Sequence, residues 1–567
     1  RIASSAPGSN NDDGDLYYNT SDNKLYVYNG SAWEVASSLN GSGGSVTGDT
    51  TFSDNTKLKL GTGADLELYH SGSHSFLEKV SGGVGNLYIR AYDSASVAIE
   101  SGNGSTGSEN AIFCNGNGSV DLFHSGTKKF ETSSTGVDVT GSITGTTDAS
   151  INSISIGKGA NSVAGNTVLG ELALDAAVTG GNNTAIGKDA LTALTSGTQN
   201  TAIGSQSSDA ITTGSSNTAV GRLSLSSNIS GNQNTAIGKQ ALEDNTGSNN
   251  TAVGDRAGLE NTSGTQNTFV GTVSGKSNTT ASNNTAIGYN SFSENTSGAA
   301  NCALGASSLS SNTDASNNTA IGFSALEQNT TASNNTAVGY QSLKANTTGS
   351  TNVAVGVQAL YKNTDASENT AVGTYALYEN TTATRNTAVG LSALQNNTTG
   401  ANNTAIGYRT LDANTTASWN TAVGYDALGT NTTGYGNVAI GYQALYDQTT
   451  GGPNTAVGQS ALANTTTAWG NTSIGYYSSH NNTTGAYNSA LGNEALEANT
   501  TGSSNTALGF RALEANTTAN NNTAVGYESL GANTTGGYNV SVGHQSLQTN
   551  TTGESNVAIG VYALDAN

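Results

Sequence analysis

The chain has 567 residues and a formal net charge of -21, although charged residues make up only 10% of it. An acidic chain of this kind disfavours nucleic acids and anionic membranes as partners. No apolar run approaches the ~20 residues that a membrane-spanning helix needs. Low charge with abundant Gly, Asn, Ser and Thr is also typical of disorder, but the strict sequence period described below argues against disorder, because a disordered chain needs no fixed register.

Residues 1–36 predict a small N-terminal β-meander module. Three apolar and aromatic runs are separated by polar links, and the second link is Asn29-Gly30, a strong signal for a two-residue hairpin turn. A Gly/Ser linker is expected at 37–48. The predicted strands are 15–18, 24–28 and 32–35.

Residues 49–140 predict a β-hairpin module with an internal duplication. The segment 65–72 is echoed by 120–126, and both alternate polar and apolar residues before a Ser-Gly turn. A second linker, rich in Gly, Ser and Thr, is expected at 141–152.

Residues 153–567 are dominated by the motif Asn-Thr-Ala-(Val/Ile)-Gly. Its glycine occurs twenty-four times, from Gly170 to Gly560, with a seventeen-residue period and one step, between Gly238 and Gly254, that is shorter by a single residue. A fixed short period over this length predicts a solenoid, in which each repeat stacks on the previous one. We therefore expect an all-β fold, an elongated parallel β-roll that follows the two small modules.

One repeat, residues 335–351, predicts the shape of a coil. Thr336-Ala337-Val338 favours a strand, and Gly339 suits the corner that follows it. Ser342-Leu343 predicts a second short strand, and the sequence 346–349 a second corner. Coils stacked at ~4.8 Å would extend over about 110 Å.

The single short step supports this division into strands and corners. There the second corner reads Asn245-Thr246-Gly247, where other repeats have Asn-Thr-Thr-Gly. A deletion within a strand would turn every following side chain to the opposite face, whereas a corner can absorb it.

Adjacent apolar residues in each predicted strand indicate assembly of several chains. Ala337 and Val338, like Ala325 and Leu326, would point to opposite faces of a strand. A coil has only one interior, which we expect to hold one Leu and one Val or Ile, so the other face needs cover from another chain. Small Ala side chains on that face would allow close approach, and we expect a parallel homotrimer.

Recurring asparagines at the motif and at the Asn-Thr-Thr corner predict side-chain ladders along the roll, amide on amide. The alternative is N-glycosylation, because sequons such as Asn397-Thr398-Thr399 and Asn414-Thr415-Thr416 are frequent. The repeat itself generates these sequons, so their number carries little information.

Catalytic and metal-binding patterns are weak, and we expect no enzyme activity, no cofactor and no metal. His70 and His74 could flank one turn and meet around a trimer axis, but exposed turn histidines are commoner than metal ligands. Cys114 and Cys302 lie in different modules and predict two unrelated thiols.

A tailspike-type glycosidase is the main enzymatic alternative. It would need two carboxylates at hydrolytic spacing in a groove. The acidic residues of the repeats instead occur singly at variable positions, as at Glu327, Asp412 and Glu528.

Aromatic residues supply the only candidate binding positions. Tyr often follows the motif glycine, at residues 289, 340, 408, 425, 442, 476 and 527. Five more aromatics lie one or two residues before the motif asparagine. Exposed rings bind sugars or protein partners, but they also pack on neighbouring coils. The five candidate surface-binding residues are Trp419, Tyr435, Trp469, Tyr487 and Tyr538.

The repeats of 153–567 resemble the head repeat of trimeric autotransporter adhesins, which has the form Asn-Ser-Val-Ala-Ile-Gly and a shorter period. Residues 161–165 and the shorter first step from Gly157 to Gly170 are closest to that form. The resemblance implies a left-handed parallel β-roll assembled as a trimer. The seventeen-residue period departs from the family and leaves strand lengths and corner geometry open.

The N-terminal modules resemble bacteriophage tail fibres. The segments 14–18 and 28–33 are similar to a module common in those fibres, and 66–72 and 128–137 to tail-fibre proteins of marine phages. The resemblance implies a virion location and a fibre that attaches to a host-surface glycan or protein, with other virion proteins at one end.

The sequence therefore predicts a trimeric phage tail fibre, with a bacterial trimeric surface adhesin or a secreted extracellular fibre as the alternative. Neither reading involves nucleic acid or membrane insertion. The sequence lacks Met, and Asn567 falls in the middle of a coil. We expect the native polypeptide, or another subunit, to continue the roll.

Overall fold

The computed structural model is all-β and forms two compact units, Arg1–Thr144 and Gly145–Asn567. Its only helical element among the described residues is a three-residue 3-10 turn, Ala160–Ser162. In the same part of the chain, no helix is long and apolar enough to cross a membrane. The described residues are 2–8, 15–22, 24–35, 53–60, 66–71, 75–79, 89, 96–101, 109–116, 118–125, 127–141 and 148–565, so the predicted linker 37–48 lies outside them.

The predicted meander forms a four-stranded sheet in the first unit. Its three predicted strands pair antiparallel, and an additional N-terminal strand pairs parallel with the first of them. The turn is shifted by one residue from Asn29-Gly30, because the Asn29 N–H donates to the Ala32 carbonyl at 3.1 Å and leaves Gly30 and Ser31 between them. The Asn29 Oδ1 accepts the backbone N–H groups of Ser31 and Ala32. The strands are β1 (Ile2–Ala3), β2 (Leu16–Asn19), β3 (Lys24–Tyr28) and β4 (Trp33–Val35).

The two echoed segments are equivalent strands in two further antiparallel sheets. Each buries a carboxylate at its second position, Glu67 and Asp121. Lys57 and Lys59 neutralise Glu67 at 2.6 and 3.2 Å, and Lys128 lies 3.1 Å from Asp121. One sheet contains β5 (Leu58–Leu60), β6 (Leu66–His70) and β7 (Ser75–Lys79), and the other contains β8 (Val97–Ser101), β9 (Glu109–Cys114), β10 (Val120–His124), β11 (Thr127–Ser133) and β12 (Gly136–Val139).

The second unit is one sheet of 26 strands in sequence order. It begins with an antiparallel hairpin, β13 (Ala149–Ile151) and β14 (Ile154–Gly157), so part of the predicted linker 141–152 is a strand. β14 pairs antiparallel with β15 (Thr167–Gly170), and every later pair is parallel.

The remaining strands each have three residues, one strand per coil. They are β16 (Thr184–Ile186), β17 (Thr201–Ile203), β18 (Thr218–Val220), β19 (Thr235–Ile237), β20 (Thr251–Val253), β21 (Thr268–Val270), β22 (Thr285–Ile287), β23 (Cys302–Leu304), β24 (Thr319–Ile321), β25 (Thr336–Val338), β26 (Val353–Val355), β27 (Thr370–Val372), β28 (Thr387–Val389), β29 (Thr404–Ile406), β30 (Thr421–Val423), β31 (Val438–Ile440), β32 (Thr455–Val457), β33 (Thr472–Ile474), β34 (Ser489–Leu491), β35 (Thr506–Leu508), β36 (Thr523–Val525), β37 (Val540–Val542) and β38 (Val557–Ile559).

Strand register follows the sequence period, which confirms the predicted parallel solenoid. Ala320 pairs with Ala337, its equivalent in the next repeat, and the flanking positions pair in the same way. Across the short step, Thr235 still pairs with Thr251, the equivalent residue of the shortened repeat. The deletion is therefore absorbed outside the strands, as expected.

The second predicted strand of each coil is wrong. Residues 340–345 form successive turns, with Gln341 at φ 53° and Leu343 at φ 50°, both left-handed. The segment still bonds to the next coil, because the Leu343 N–H donates to the Ala359 carbonyl at 3.0 Å. A left-handed Leu costs about 1–2 kcal/mol. Burial of its side chain contributes about 1.5–3 kcal/mol, which offsets that cost.

Ala337 and Val338 point to opposite faces, as predicted, but the assignment of the two faces is wrong. Ala337 is fully buried inside its own coil opposite the turn segment, whereas Val338 points outward and is half-buried. The coil interior therefore contains Ala and Leu, not Leu with Val or Ile. In this coil the short strand faces a tight turn, and Leu343 is the one large side chain that fills the space between them.

The motif glycine is required at the corner by two separate constraints. Gly339 has φ 138°, a conformation that L side chains rarely adopt. A Cβ atom there would also collide with the carbonyl group of Gly356 in the next coil. The same pair of constraints recurs at the motif glycines from Gly187 to Gly543.

Two different asparagine ladders connect the coils. At the motif, the Asn335 Oδ1 accepts the backbone N–H of Asn352 at 2.9 Å, and its Nδ2 donates to the Gly349 carbonyl at 2.9 Å. At the second corner, the Asn346 Nδ2 donates to the Asn329 Oδ1 at 2.9 Å. The corner ladder therefore runs amide on amide, as predicted, whereas the motif ladder runs mainly from amide to backbone.

Glycosylation does not fit the folded coils at the two quoted sequons. Asn397 and Asn414 are fully buried. The Asn414 Nδ2, the atom that would carry a sugar, donates to the Asn397 Oδ1 at 2.7 Å and to the Ala417 carbonyl at 3.1 Å. These side chains therefore have a structural role.

Candidate binding surface

Four of the five predicted aromatic residues lie in one region of the array. Each of them is at the corner that precedes a strand. We call Trp419, Tyr435, Trp469 and Tyr487 the aromatic corner patch. They lie within five successive coils, because Tyr487 follows Trp419 by four periods of the repeat. At ~4.8 Å per coil, the patch extends over about 19 Å along the stack.

Two rings of the patch meet across an intervening coil. Tyr435 and Trp469 lie two coils apart, with centroids at 5.6 Å and an edge-to-face angle of 76°. The coil between them has Gly452 and Pro453 at this corner. A Cβ atom on Gly452 would clash with the Tyr435 carbonyl oxygen, so glycine is needed where the backbones of these two coils approach closely.

A second glycine makes room for Tyr487. A Cβ atom on Gly470 would lie 2.9 Å from the Tyr487 Cδ1. The backbone holds this corner in place, because the Tyr487 N–H donates to the Trp469 carbonyl at 2.9 Å. Large rings thus alternate with glycines along the corner.

The patch is exposed and uncharged. Trp419, Tyr435, Trp469 and Tyr487 are 66%, 45%, 41% and 69% exposed. From Ala401 to Tyr538, no charged residue occupies either of the two corner positions that precede the motif asparagine. A surface of this kind presents apolar ring faces in a neutral setting.

Tyr538, the fifth predicted residue, lies outside the patch. It is 64% exposed and lies three periods of the repeat beyond Tyr487. Between them the same corner position is occupied by Ser504 and Asn521. The structure therefore does not bring Tyr538 together with the other four.

The tyrosines that follow the motif glycine form a separate column, and several stack on one another. The rings of Tyr408, Tyr425 and Tyr442 lie face to face at 5.1 and 5.3 Å, and Phe323 and Tyr340 at 5.7 Å. Their faces are covered by the neighbouring rings, which supports packing between coils.

The Asp426 carboxylate raises the pKa of Tyr425 and keeps that phenol neutral.

The acidic residues considered for catalysis all have partners. Glu327 lies 3.5 Å from the Lys344 Nζ. Asp412 lies 3.3 Å from the Arg409 Nε, although burial raises the pKa of Asp412. The remaining residue, Glu528, accepts amide hydrogen bonds from two glutamines.

The structure contains a carboxylate cluster that the sequence analysis did not predict. Oxygen atoms of Glu494, Glu497 and Glu514 lie within 4.8 Å of one another. Arg511 lies between them, 2.5 Å from Glu494 and 3.6 Å from Glu514. The period contained the signal, because Glu497 precedes Glu514 by one repeat, as Glu494 precedes Arg511. The guanidinium accounts for the cluster as an ion network between coils.

The remaining candidates concern histidine and cysteine. The His70 Nδ1 lies 3.1 Å from the Ser75 Oγ, and His74 lies outside the described residues. Cys114 and Cys302 are half-buried free thiols, in line with two unrelated cysteines.

No protein-family model matches the chain, and no curated protein or solved structure shows significant similarity to it. Function therefore rests on the geometry of the coils and on their surface.

Proposed function

We propose that this chain forms the shaft of a trimeric bacteriophage tail fibre, which supplies reach and mediates attachment to the host surface. The observation that carries the proposal is the unbroken ladder from β15 to β38, in which parallel strands pair in register. A rod of about 110 Å built in this way offers the length and stiffness that reach requires.

Bonds between coils support a mechanical role. Besides the strand ladder and both asparagine ladders, the Thr347 Oγ1 donates to the Thr364 carbonyl of the next coil at 3.0 Å. Ion pairs also join adjacent coils, as between Lys362 and Glu379 at 2.6 Å. Each coil is therefore tied to its neighbours at several points around its circumference, which resists bending.

The outward strand face supports the trimer. Val372, Ile406 and Ile440 are 36%, 40% and 39% exposed and belong to one column of Val, Ile and Leu. Parallel sheets are usually covered on both faces. We propose that this column packs against the corresponding columns of two further copies.

The alternative is a bacterial surface adhesin or a secreted fibre, which the likeness of the motif to adhesin head repeats supports. Immunogold labelling with an antibody against the repeats distinguishes the two. Labelled tails on purified phage particles would support the tail fibre, whereas labelled cells free of phage would contradict it.

Mass and dimensions test the fibre itself. Native mass determination is expected to give three chains per particle, and electron microscopy a rod of at least about 110 Å. A compact monomer would contradict the proposal.

A further inference from the structure

We infer that the aromatic corner patch is a lateral binding site for an uncharged glycan chain that lies along the rod. The inference rests on the proposed attachment function and names the ligand class and its position. It places recognition on the side of the shaft, at Trp419 to Tyr487.

The rings of the patch are not needed to build the corner. Other coils place Asn334 or similar polar residues there, with φ 64° and the same backbone bond to the preceding coil. Asn tolerates left-handed backbone better than bulky residues do. Trp419 and Tyr487 adopt it at φ 61° and 59° while remaining more than half exposed. They thus bear the conformational cost without the burial that offsets it at Leu343.

The chemistry of the surroundings selects the ligand. Nucleic acids and anionic membranes require Lys or Arg, and this corner has neither from residues 401 to 538. Aromatic faces with neutral surroundings suit the apolar faces of sugar rings. An uncharged glycan also avoids repulsion by a chain of net charge -21.

Hydroxyl groups recur at the period of the coils, two or three residues before the rings in the sequence. The last Thr of the Thr-Thr pair at the second corner is exposed in each coil of the patch and offers a donor and an acceptor to sugar hydroxyls. A linear chain along the rod would meet rings and hydroxyl groups together on successive coils. These threonines are Thr416, Thr433, Thr450, Thr467 and Thr484.

The test uses the full chain and an array of uncharged linear oligosaccharides, among them maltohexaose, cellohexaose and mannohexaose, with a hyaluronan hexamer as the charged counterpart. Binding is followed by calorimetry and by tryptophan emission, since only Trp33, Trp419 and Trp469 contribute. We expect an uncharged glycan to bind and to change the emission. Trp419→Ala and Trp469→Ala should each weaken binding about tenfold.

Tyr538→Ala is the matched control, because it removes an equally exposed ring from the same corner outside the patch. It should leave the affinity unchanged, and thermal unfolding should show that all variants are folded. Binding confined to hyaluronan, no binding to any uncharged glycan, or equal binding by Trp469→Ala would overturn the inference.

Acrylamide quenching of the assembled wild type provides one further check. Strong shielding of Trp419 and Trp469 without glycan would show that another copy covers the patch, which also overturns the inference. If the fibre attaches to cells but the patch binds no glycan, the attachment function stands and the site does not.

Discussion

At the scale of single residues, Phe269 shows how the array tolerates a departure from its repeat. It replaces the inward Ala of its strand, while Gly258 and Gly275 replace the inward Leu of the preceding coil and of its own. Phe269 is fully buried, and a Cβ on Gly258 would lie 2.7 Å from its ring. One large ring thus fills the volume of two missing leucines.

Phe269→Ala should therefore leave a cavity that no neighbour can fill. We expect a local loss of about 3–5 kcal/mol, typical of Phe truncation in a core. Hydrogen exchange of the amides around residues 251–288 measures it as a fall in the free energy of opening. Phe323→Ala, at a site that is 51% exposed, is the control. Adding Gly258→Leu and Gly275→Leu should restore protection, and failure to do so would contradict volume compensation.

Asp209 makes a pH-dependent contribution to stability. Burial raises its pKa, and its Oδ1 has no hydrogen-bond partner among the described residues. A raised pKa means that the folded state binds the proton more tightly than the unfolded state does. Stability is then higher at low pH and falls as pH rises through the folded-state pKa.

Asp209→Asn removes this dependence while keeping the shape of the side chain. The variant should melt at a higher temperature than the wild type at pH 7, and the difference should shrink towards pH 3. Calorimetry at both pH values checks this, with Asp314→Asn as an exposed control. An equal difference at both pH values would show that the ionisation of Asp209 is not the cause.

At the scale of elements, the sequence predicted the strands but not the turn segment opposite them. The spacing alone predicted the register, since a shift of one repeat pairs each strand residue with its equivalent in the next coil. Alternation of faces holds in the strand. It fails in the turn segment, where Ala325 and Leu326 are both fully buried, because the rule assumes extended backbone and Leu326 is left-handed at φ 50°. Leu gives no warning of this conformation, which only the closure of the coil imposes.

The candidate surface was predictable in composition but not in arrangement. The sequence identified all five aromatic residues, and the period located the coils that carry them. Contact between Tyr435 and Trp469 depends on the backbone geometry of the coils and on ring orientations that no sequence pattern encodes. The separation of Tyr538 from the patch, in contrast, could have been read from the period.

The corner asparagine ladder should be a main source of stability between coils. The Asn397 Nδ2 donates to Asn380, and its Oδ1 accepts from Asn414. Asn397→Ala leaves both neighbours with an unpaired buried group, at about 1–3 kcal/mol each. Hydrogen exchange should show faster opening centred on coils 380–414.

The neighbouring Asn396 provides a matched control for the ladder. It is exposed, and its Nδ2 donates to the Asp412 carbonyl at 3.0 Å on the coil surface. Asn396→Ala should change local protection little, because water replaces the lost hydrogen bond. Equal effects of the two substitutions would argue against a special role for the buried ladder.

At the scale of the whole molecule, the proposed oligomeric state depends on the outward column of Val, Ile and Leu. The outward strand face consists of this column and a parallel row of mostly threonines, spans about 110 Å and is roughly 7 Å wide. The area of the whole face is on the order of 700 Å² per copy, close to the ~800 Å² per partner of a standard interface. The face, of which the apolar column is about half, is thus of the size that an interface between copies needs.

Charges placed in this column should prevent assembly. We expect the wild type to sediment as a trimer and the triple variant Val372→Lys, Ile406→Lys and Ile440→Lys to sediment as a monomer, since like charges would then face one another without water. The matched control places lysines at Val357, Leu391 and Tyr289, which are 41%, 44% and 64% exposed but follow the motif glycine, off the strand face. The control should stay trimeric. A monomeric wild type, or a control that dissociates while the strand-face variant does not, would show that the apolar column is not the assembly surface.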